Sequence, residues 1–222
     1  MTLRISIPFG YRLADTTLEY DFTELRKDTR HIYQSLEGNE DTGYVKDRET
    51  LSETRYTEKY YRVLEQHIDL KHNILDIFHL FAKNTYGDYR FKITTSWLPL
   101  IKEGESIQVH RHANCFYSGL LYYGEEYGEE SARLRLVNPL ANELPNTLNT
   151  GRDDNIEMNG LVCTTEQNVY LRPFTGGLYF FPANIWHNSG PHIGPPRYSL
   201  AFNIAVDDVL LNADSSYDPK WL

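Results

Sequence analysis

The sequence predicts a mainly β domain of the jelly-roll kind with a helical support on its N-terminal side. Three observations predict it. Residues 91–210 alternate apolar and polar positions, punctuated by Gly, Pro and Asn. Residues 1–90 are richer in charge and carry helical periodicity instead. The 222 residues are 41% hydrophobic and 14% aromatic, enough for a buried core and too apolar for global disorder. One domain over residues 1–222 is the simplest division, with 1–90 as mostly helical support and 91–210 as the core. No internal repeat stands out.

Asp21 to Leu36 reads as a helix: Leu25 and Ile32 lie two turns apart, Phe22 and Leu36 extend their stripe, and Gly38 is the expected cap. Residues 39–50 read as a polar loop. From Thr57 to Asn84 the sequence predicts one long helix, or two in series. Its Tyr60, Tyr61, Val63, Leu64, Ile68, Ile74, Leu75, Ile77, Phe78 and Phe81 recur at steps of three and four. It is expected to back the sheet rather than form a dimer face. His67, His72 and His79 lie there too. Only His72 and His79 share a face, two turns apart, so they read as ordinary surface or boundary histidines.

Strands are predicted at Tyr89–Leu98, Ser106–His110, Phe116–Tyr123, Ala132–Val137, Val169–Leu171, Gly177–Phe181 and Arg197–Val206. The polar stretch between Pro139 and Asn168 reads as a long lid or binding loop.

Charge and cysteine content exclude several functions. The net charge of −9 and pI near 5.4 argue against nucleic acid and anionic membranes as partners. Cys115 and Cys163 cannot make a disulfide scaffold, which points to a reducing, cytoplasmic setting. No long apolar run is present, so neither a signal peptide nor a membrane span is expected. There is no Gly-x-Ser-x-Gly elbow and no phosphate-cradling glycine loop.

Three features carry chemistry. His110-Arg111-His112 ends a strand pattern, and side chains two apart on a strand point to one face. His187 follows the run Phe180-Phe181-Pro182-Ala183-Asn184-Ile185-Trp186; a third imidazole brought back to the first two would complete a facial metal set. The strand from Arg197 to Ile204 alternates cleanly. Tyr198, Leu200, Phe202 and Ile204 form one face, and Arg197, Ser199, Ala201 and Asn203 the other. That second face lies either in water or inside a barrel around a charged ligand, where Arg197 and Ser199 suit a carboxylate. Alternation leaves the choice open.

Taken together, His-x-His, a later His and an Arg-x-Ser ten residues beyond it resemble the iron(II)- and 2-oxoglutarate-dependent oxygenases. The nearer likeness is to a little-characterised microbial and phage subgroup. The matching stretches are Ser96-Trp97, His110-x-His112, Ser118-Gly119-Leu120-Leu121-Tyr122-Tyr123, Arg172-Pro173 with Gly177, Phe181-Pro182 with Trp186-His187, and Arg197-x-Ser199 with Phe202-Asn203. They span about residues 91–206.

The resemblance implies a double-stranded β-helix core, cupin-like in its sheets. It implies iron(II) on His110, His112 and His187, with His112 where the family usually has a carboxylate. It implies 2-oxoglutarate held at its far carboxylate by Arg197 and Ser199, with Tyr122 and Asn203 assisting. Asn114 and Trp97 fall at the substrate side. The implied reaction is a dioxygen-dependent hydroxylation coupled to conversion of 2-oxoglutarate into succinate, on a small-molecule, peptide or protein substrate. Three neutral imidazoles would leave the ion's charge uncompensated by protein, so iron should bind less firmly before the cosubstrate arrives. Glu125 or Glu126 as a ligand and His192 as the distal histidine are weaker alternatives. Two other readings stand beside this one. The first is a cupin-like three-histidine metalloenzyme that does not use 2-oxoglutarate. The second is a non-catalytic β-sandwich binding module.

Overall fold

The computed structural model describes residues 3–36, 62–113, 115–138, 155–158, 161–164 and 168–207. Among these residues, thirteen strands form two antiparallel sheets. The larger contains β1 (Arg4–Ser6), β2 (Leu13–Thr17), β3 (Phe91–Trp97), β4 (Leu100–Ile101), β6 (Tyr117–Tyr122), β11 (Gly177–Pro182) and β13 (Arg197–Val206). Its order is β1-β2-β11-β6-β13-β3, with β4 paired to the start of β13. The smaller contains β5 (Ile107–His110), β7 (Leu134–Val137), β8 (Asn155–Met158), β9 (Leu161–Thr164), β10 (Asn168–Leu171) and β12 (His187–Ser189). Its order is β5-β12-β7-β10-β9-β8. Consecutive strands mostly alternate between sheets over β5–β7 and β10–β13, as the two faces of a double-stranded β-helix require.

Two apolar layers hold this arrangement. One lies between the sheets and joins Leu120, Tyr122, Tyr179 and Phe181 of the large sheet to Leu134, Leu136, Val169 and Leu171 of the small one. The other lies between the large sheet and the helices α1 (Thr23–Leu36) and α2 (Ile68–Thr85). The large sheet is therefore covered on both faces. This is why β6 and β11 read as near-continuous apolar runs, whereas β7 and β10 alternate buried with half-buried positions.

Helix α2 buries Leu70, Ile74, Ile77, Phe78, Phe81 and Ala82, one stripe along its length. Each such large side chain contributes roughly 1.5–3 kcal/mol by leaving water. Phe78 meets Phe91, Tyr117 and Phe180 at ring separations of 5.0, 5.4 and 5.2 Å. Helix α1 starts where Asp21 Oδ1 accepts the Thr23 amide, at 3.0 Å. Its Tyr33 hydroxyl donates to Leu98 O and accepts from the Leu100 amide, both at 3.0 Å. That bridge fixes the Leu98–Leu100 segment, whose Pro99 carbonyl in turn accepts the Ser199 amide.

Several expectations are amended. The long helix begins at Ile68, after a short 3-10 turn over Val63–Glu65, and Ile68 itself is exposed. Residues 57–61 and Gly38 lie outside the described residues. His67 bonds Asp28 at 2.9 Å, His79 accepts the Phe91 amide at 3.1 Å and His72 is exposed, so each has a bland role. Residues 1–90 supply β1 and β2 as well as helices. Short segments such as Arg-Ile-Ser carry too few residues for a periodicity to register; pairing of β2 with β11, and of β1 with β2, makes them strands. Within the stretch read as one long loop, β8 and β9 extend the small sheet from β10.

Candidate metal centre and cosubstrate cavity

His110 ends β5 and His187 begins β12, and the two are direct cross-strand partners. Directly opposed residues present their side chains to the same face. His112 lies two residues beyond β5, pinned where its amide donates to Ala183 O at 2.9 Å. One ring nitrogen from each of the three lies within 4.8 Å of the others. Ring centroids are 4.3 Å apart for His110 and His187, 5.0 Å for His112 and His187, and 5.3 Å for His110 and His112.

Hydrogen bonds decide which nitrogens face the centre. His110 Nδ1 donates to Gln108 O at 2.8 Å, and His187 Nδ1 to Ile185 O at 2.9 Å. His112 Nδ1 meets Asn203 Oδ1 at 2.7 Å and Ser118 Oγ at 2.8 Å. With the proton on Nδ1 in each ring, all three Nε2 lone pairs are left for one ion. Burial, opposed by the bond to Asn203, lowers the His112 pKa to about 4. Burial, reinforced by the neighbouring His110 and His112 rings, lowers that of His187 to about 3. Both rings are neutral at pH 7, the form that ligates a metal.

The same rings line a cavity of about 350 Å³ between the sheets, a volume within the usual range for a small-molecule site. Its walls include Thr95, Trp97, Phe181, Leu134, Arg197, Ser199 and Asn203. The open question about β13 is thereby answered. Leu200, Phe202 and Ile204 pack toward the helices, and Arg197, Ser199, Ala201 and Asn203 face the cavity. Gly119 permits this packing, because a Cβ there would lie 2.1 Å from the Phe202 ring.

Arg197 is 1% exposed. Its Nη1 donates to Ala132 O, its Nη2 lies 3.5 Å from Ser189 Oγ, and its Nε has no acceptor. No carboxylate pairs with it among the described residues. The Tyr122 ring lies 5.8 Å beneath the guanidinium. The Tyr122 hydroxyl is buried with no partner of hydrogen-bonding geometry, the Leu134 amide lying near without closing a bond. A buried guanidinium facing only neutral groups is costly unless an anion joins it. The cavity thus offers three imidazole nitrogens and an underpaired cation, a donor set that fits a divalent metal together with a dicarboxylate.

Residues 95–203, a stretch containing every residue that lines this cavity, match a family model described as "Putative 2OG-Fe(II) oxygenase". Fold and match together define the class: the chain is a 2-oxoglutarate-dependent iron(II) oxygenase, with iron(II) as cofactor and 2-oxoglutarate and dioxygen as cosubstrates. Among solved structures it is similar to a Pseudomonas putida prolyl-4-hydroxylase, with 15% identity, 86% of this chain and 91% of that one covered, and a TM-score of 0.53. It is similar to AviO1 from Streptomyces viridochromogenes Tue57, with 18% identity, coverage of 87% and 89%, and a TM-score of 0.52. A third likeness is to a Trichoplax adhaerens prolyl hydroxylase in complex with a hypoxia inducible factor oxygen degradation domain peptide fragment. There the identity is 14%, the coverage 87% and 83%, and the TM-score 0.51. No functionally curated protein matches the chain. The family match removes both competing readings, the cupin-like enzyme without 2-oxoglutarate and the binding module.

Trp97 flanks the histidine cluster, its ring 5.5 Å from that of His112. Asn114 lies outside the described residues. Asn203 reaches the cavity, but both its amide atoms are taken up by protein: Oδ1 by His112 and Nδ2 by Thr95 Oγ1 at 3.0 Å. Ser199 Oγ donates to Pro99 O at 3.1 Å. His192 is buried away from the cluster, accepting the Ala132 amide at Nδ1 and donating from Nε2 to Pro195 O. Glu125 lies 3.4 Å from Arg26 on the exterior, and neither it nor Glu126 belongs to a metal-holding group. Burial pushes the Cys115 thiol up to about 11, against the low values of reactive cysteines. Ser118, Thr95 and Ser189 had no assigned role in the sequence. Their one signal is register, because a small polar residue on the cavity side of a strand is visible only once its partner strand is known. No helix of the described residues is long and apolar enough to cross a membrane.

Proposed function

We propose that the protein is a hydroxylase that couples turnover of 2-oxoglutarate to succinate with oxidation of an unactivated C–H bond. One observation carries this reading. Three imidazole nitrogens converge in the same cavity that buries a guanidinium with an unpaired Nε.

His110, His112 and His187 would hold iron(II) through Nε2, leaving the remaining positions to cosubstrate and dioxygen. When bound, iron(II) would activate dioxygen, the oxidant, with 2-oxoglutarate supplying two of its four electrons and the substrate C–H bond the other two. The residues of the chain do the rest. Arg197 would receive the distal carboxylate through Nε and Nη2, a charge-assisted pair in a site shielded from water. Tyr122 would donate its free hydroxyl beside it. Ser199 would add a bond by turning its hydroxyl from Pro99. Trp97, Leu134 and Phe181 wall the cavity and keep it dry. Asn114 and Trp97 remain our candidates for the substrate side.

Two of the similar structures are prolyl hydroxylases, and one holds a peptide. This supports peptidyl proline as the first substrate to assay, ahead of small molecules and folded proteins. The low cysteine count supports a cytoplasmic setting. The test is succinate release from 2-oxoglutarate by the iron(II)-loaded protein, followed by mass spectrometry of proline-containing peptides for a single added oxygen. Succinate release without dependence on His187 or Arg197 would sink the assignment of this cavity.

A further inference from the structure

We propose that Asn203 is a positioning residue for the third ligand, His112, and that through its neutral amide it sets how strongly that ligand holds the metal. The proposal rests on the reading of His110, His112 and His187 as a metal centre.

Register places Asn203 in the middle of a row of three. It is the direct cross-strand partner of Thr95 on β3 and of Ser118 on β6. The β13–β3 register shifts immediately after it, at Asn203/Ile204, so the row ends there. All three side chains point to the cavity face and close a network on one ring nitrogen. Thr95 Oγ1 accepts Asn203 Nδ2, which orients the amide and turns Oδ1 toward His112. Ser118 Oγ donates to Oδ1 at 3.2 Å and meets His112 Nδ1 at 2.8 Å. An acceptor at this place requires the His112 proton on Nδ1 and leaves Nε2 unprotonated for the ion. With the amide rotated by half a turn, an N–H would face Nδ1 and drive the proton to Nε2, which removes the ligand.

The three ligands are not equivalent in this respect. His110 and His187 bond the backbone carbonyls of Gln108 and Ile185, acceptors that no side-chain substitution alters. His112 alone depends on side chains, so it alone is tuned by residue type. A neutral amide polarises the ring less than a carboxylate would. The position that the family usually gives to an anion is therefore filled here by a neutral ring on a neutral acceptor.

The test uses the full chain freed of metal and titrated with cobalt(II), whose visible spectrum reports ligand number and whose affinity is read by calorimetry. Wild type should bind one equivalent. Asn203→Ala should bind ten- to a hundredfold more weakly, with a spectrum shifted toward that of His112→Ala and a metal-free melting temperature close to wild type. Asn203→Asp, which restores the acceptor and adds charge, should recover wild-type affinity or exceed it. Thr95→Val, which releases the amide, should fall between wild type and Asn203→Ala. Wild-type affinity and spectrum in Asn203→Ala overturn the proposal, as does equal weakening in Asn203→Ala and Asn203→Asp. If Asn203→Ala does not fold, Thr95→Val decides, and unchanged cobalt affinity there overturns it. Failure of the wild type to bind cobalt(II) is a different result: it removes the metal centre itself.

Discussion

His187 and His110 oppose one another across the β5–β12 pair, their ring centroids 4.3 Å apart, although 77 positions separate them in the chain. Neither histidine is distinguished by its own neighbours. Their pairing on an edge of the small sheet sets two rings side by side, and His112 joins them from the turn beyond, the grip we propose for the metal.

Removal of the distal ligand tests that grip. His187→Ala should abolish metal loading and succinate release, measured by metal analysis and by product assay. His192→Ala should keep both. That ring holds Ala132, whose carbonyl receives Arg197, so its loss should instead lower stability by about 1–3 kcal/mol in chemical denaturation. Retained turnover in His187→Ala would return His192 to consideration.

Arg197 faces only neutral groups in the cavity, so its substitution probes the anion site. Arg197→Ala should weaken 2-oxoglutarate binding by roughly 2–4 kcal/mol, the worth of a charge-assisted two-pronged contact. Calorimetric titration of the metal-loaded variant measures it. Lysine should recover only part, because a point charge does not reproduce the guanidinium fork. An unchanged dissociation constant in Arg197→Ala would place the cosubstrate elsewhere.

In the proposed site, three neutral ligands would leave the ion's charge for the cosubstrate to balance. Metal and 2-oxoglutarate should therefore bind with positive coupling, each tightening the other by the same factor. Cobalt(II) affinity measured with and without saturating 2-oxoglutarate gives that factor directly. His112→Asp should shrink it by supplying a charge from the protein. Equal coupling in the two proteins would show that the third ligand's charge is not what links the sites.

Acid should destabilise the metal-free protein in a defined window. The His112 and His187 pKa values fall from about 6.5 in the unfolded chain to about 4 and about 3 in the folded one. Between these limits the unfolded state binds more protons, so stability drops as pH falls and is fully present above pH 6.5. Each histidine contributes a slope of about 1.4 kcal/mol per pH unit within its window. Urea denaturation between pH 7 and pH 4.5 should show the slope, and His112→Asn should reduce it by one histidine's share. An identical slope in that variant would mean that other groups control the acid limb.

Gly119 reports on the sheet that carries Arg197. Gly119→Ala puts a methyl group into the Phe202 ring and should cost about 1–3 kcal/mol by overpacking, with a lowered melting temperature. Wild-type stability would show that Phe202 has another rotamer available.

Legibility in the sequence followed local signal. Arg197–Val206 was readable end to end because ten residues alternate without a break, and the observed strand has the same limits. The buried stripe of α2 was readable because aliphatic and aromatic residues recur at helical spacing. Arg4–Ser6, Leu13–Thr17 and His187–Ser189 were not, since such short strands carry too little periodicity of their own and are defined by the strands they pair with. His110, His112, His187 and Arg197 were readable as a set only because their order and spacing resemble a family pattern. Asn203 was visible as polar on the correct face, but its attachment to His112 was not, as that depends on which strands flank β13.

Residue chemistry, the alternation that makes strands, and the ordered set of three histidines and an arginine are legible in the chain alone. Folding is what turns the polar face of β13 into a cavity wall, gives His192 to the backbone and aims the Asn203 oxygen at His112. Period two divides a strand into two faces without saying which is wet. The covering helices, packed on Leu200, Phe202 and Ile204, settle that by claiming one face and leaving the other to the space between the sheets.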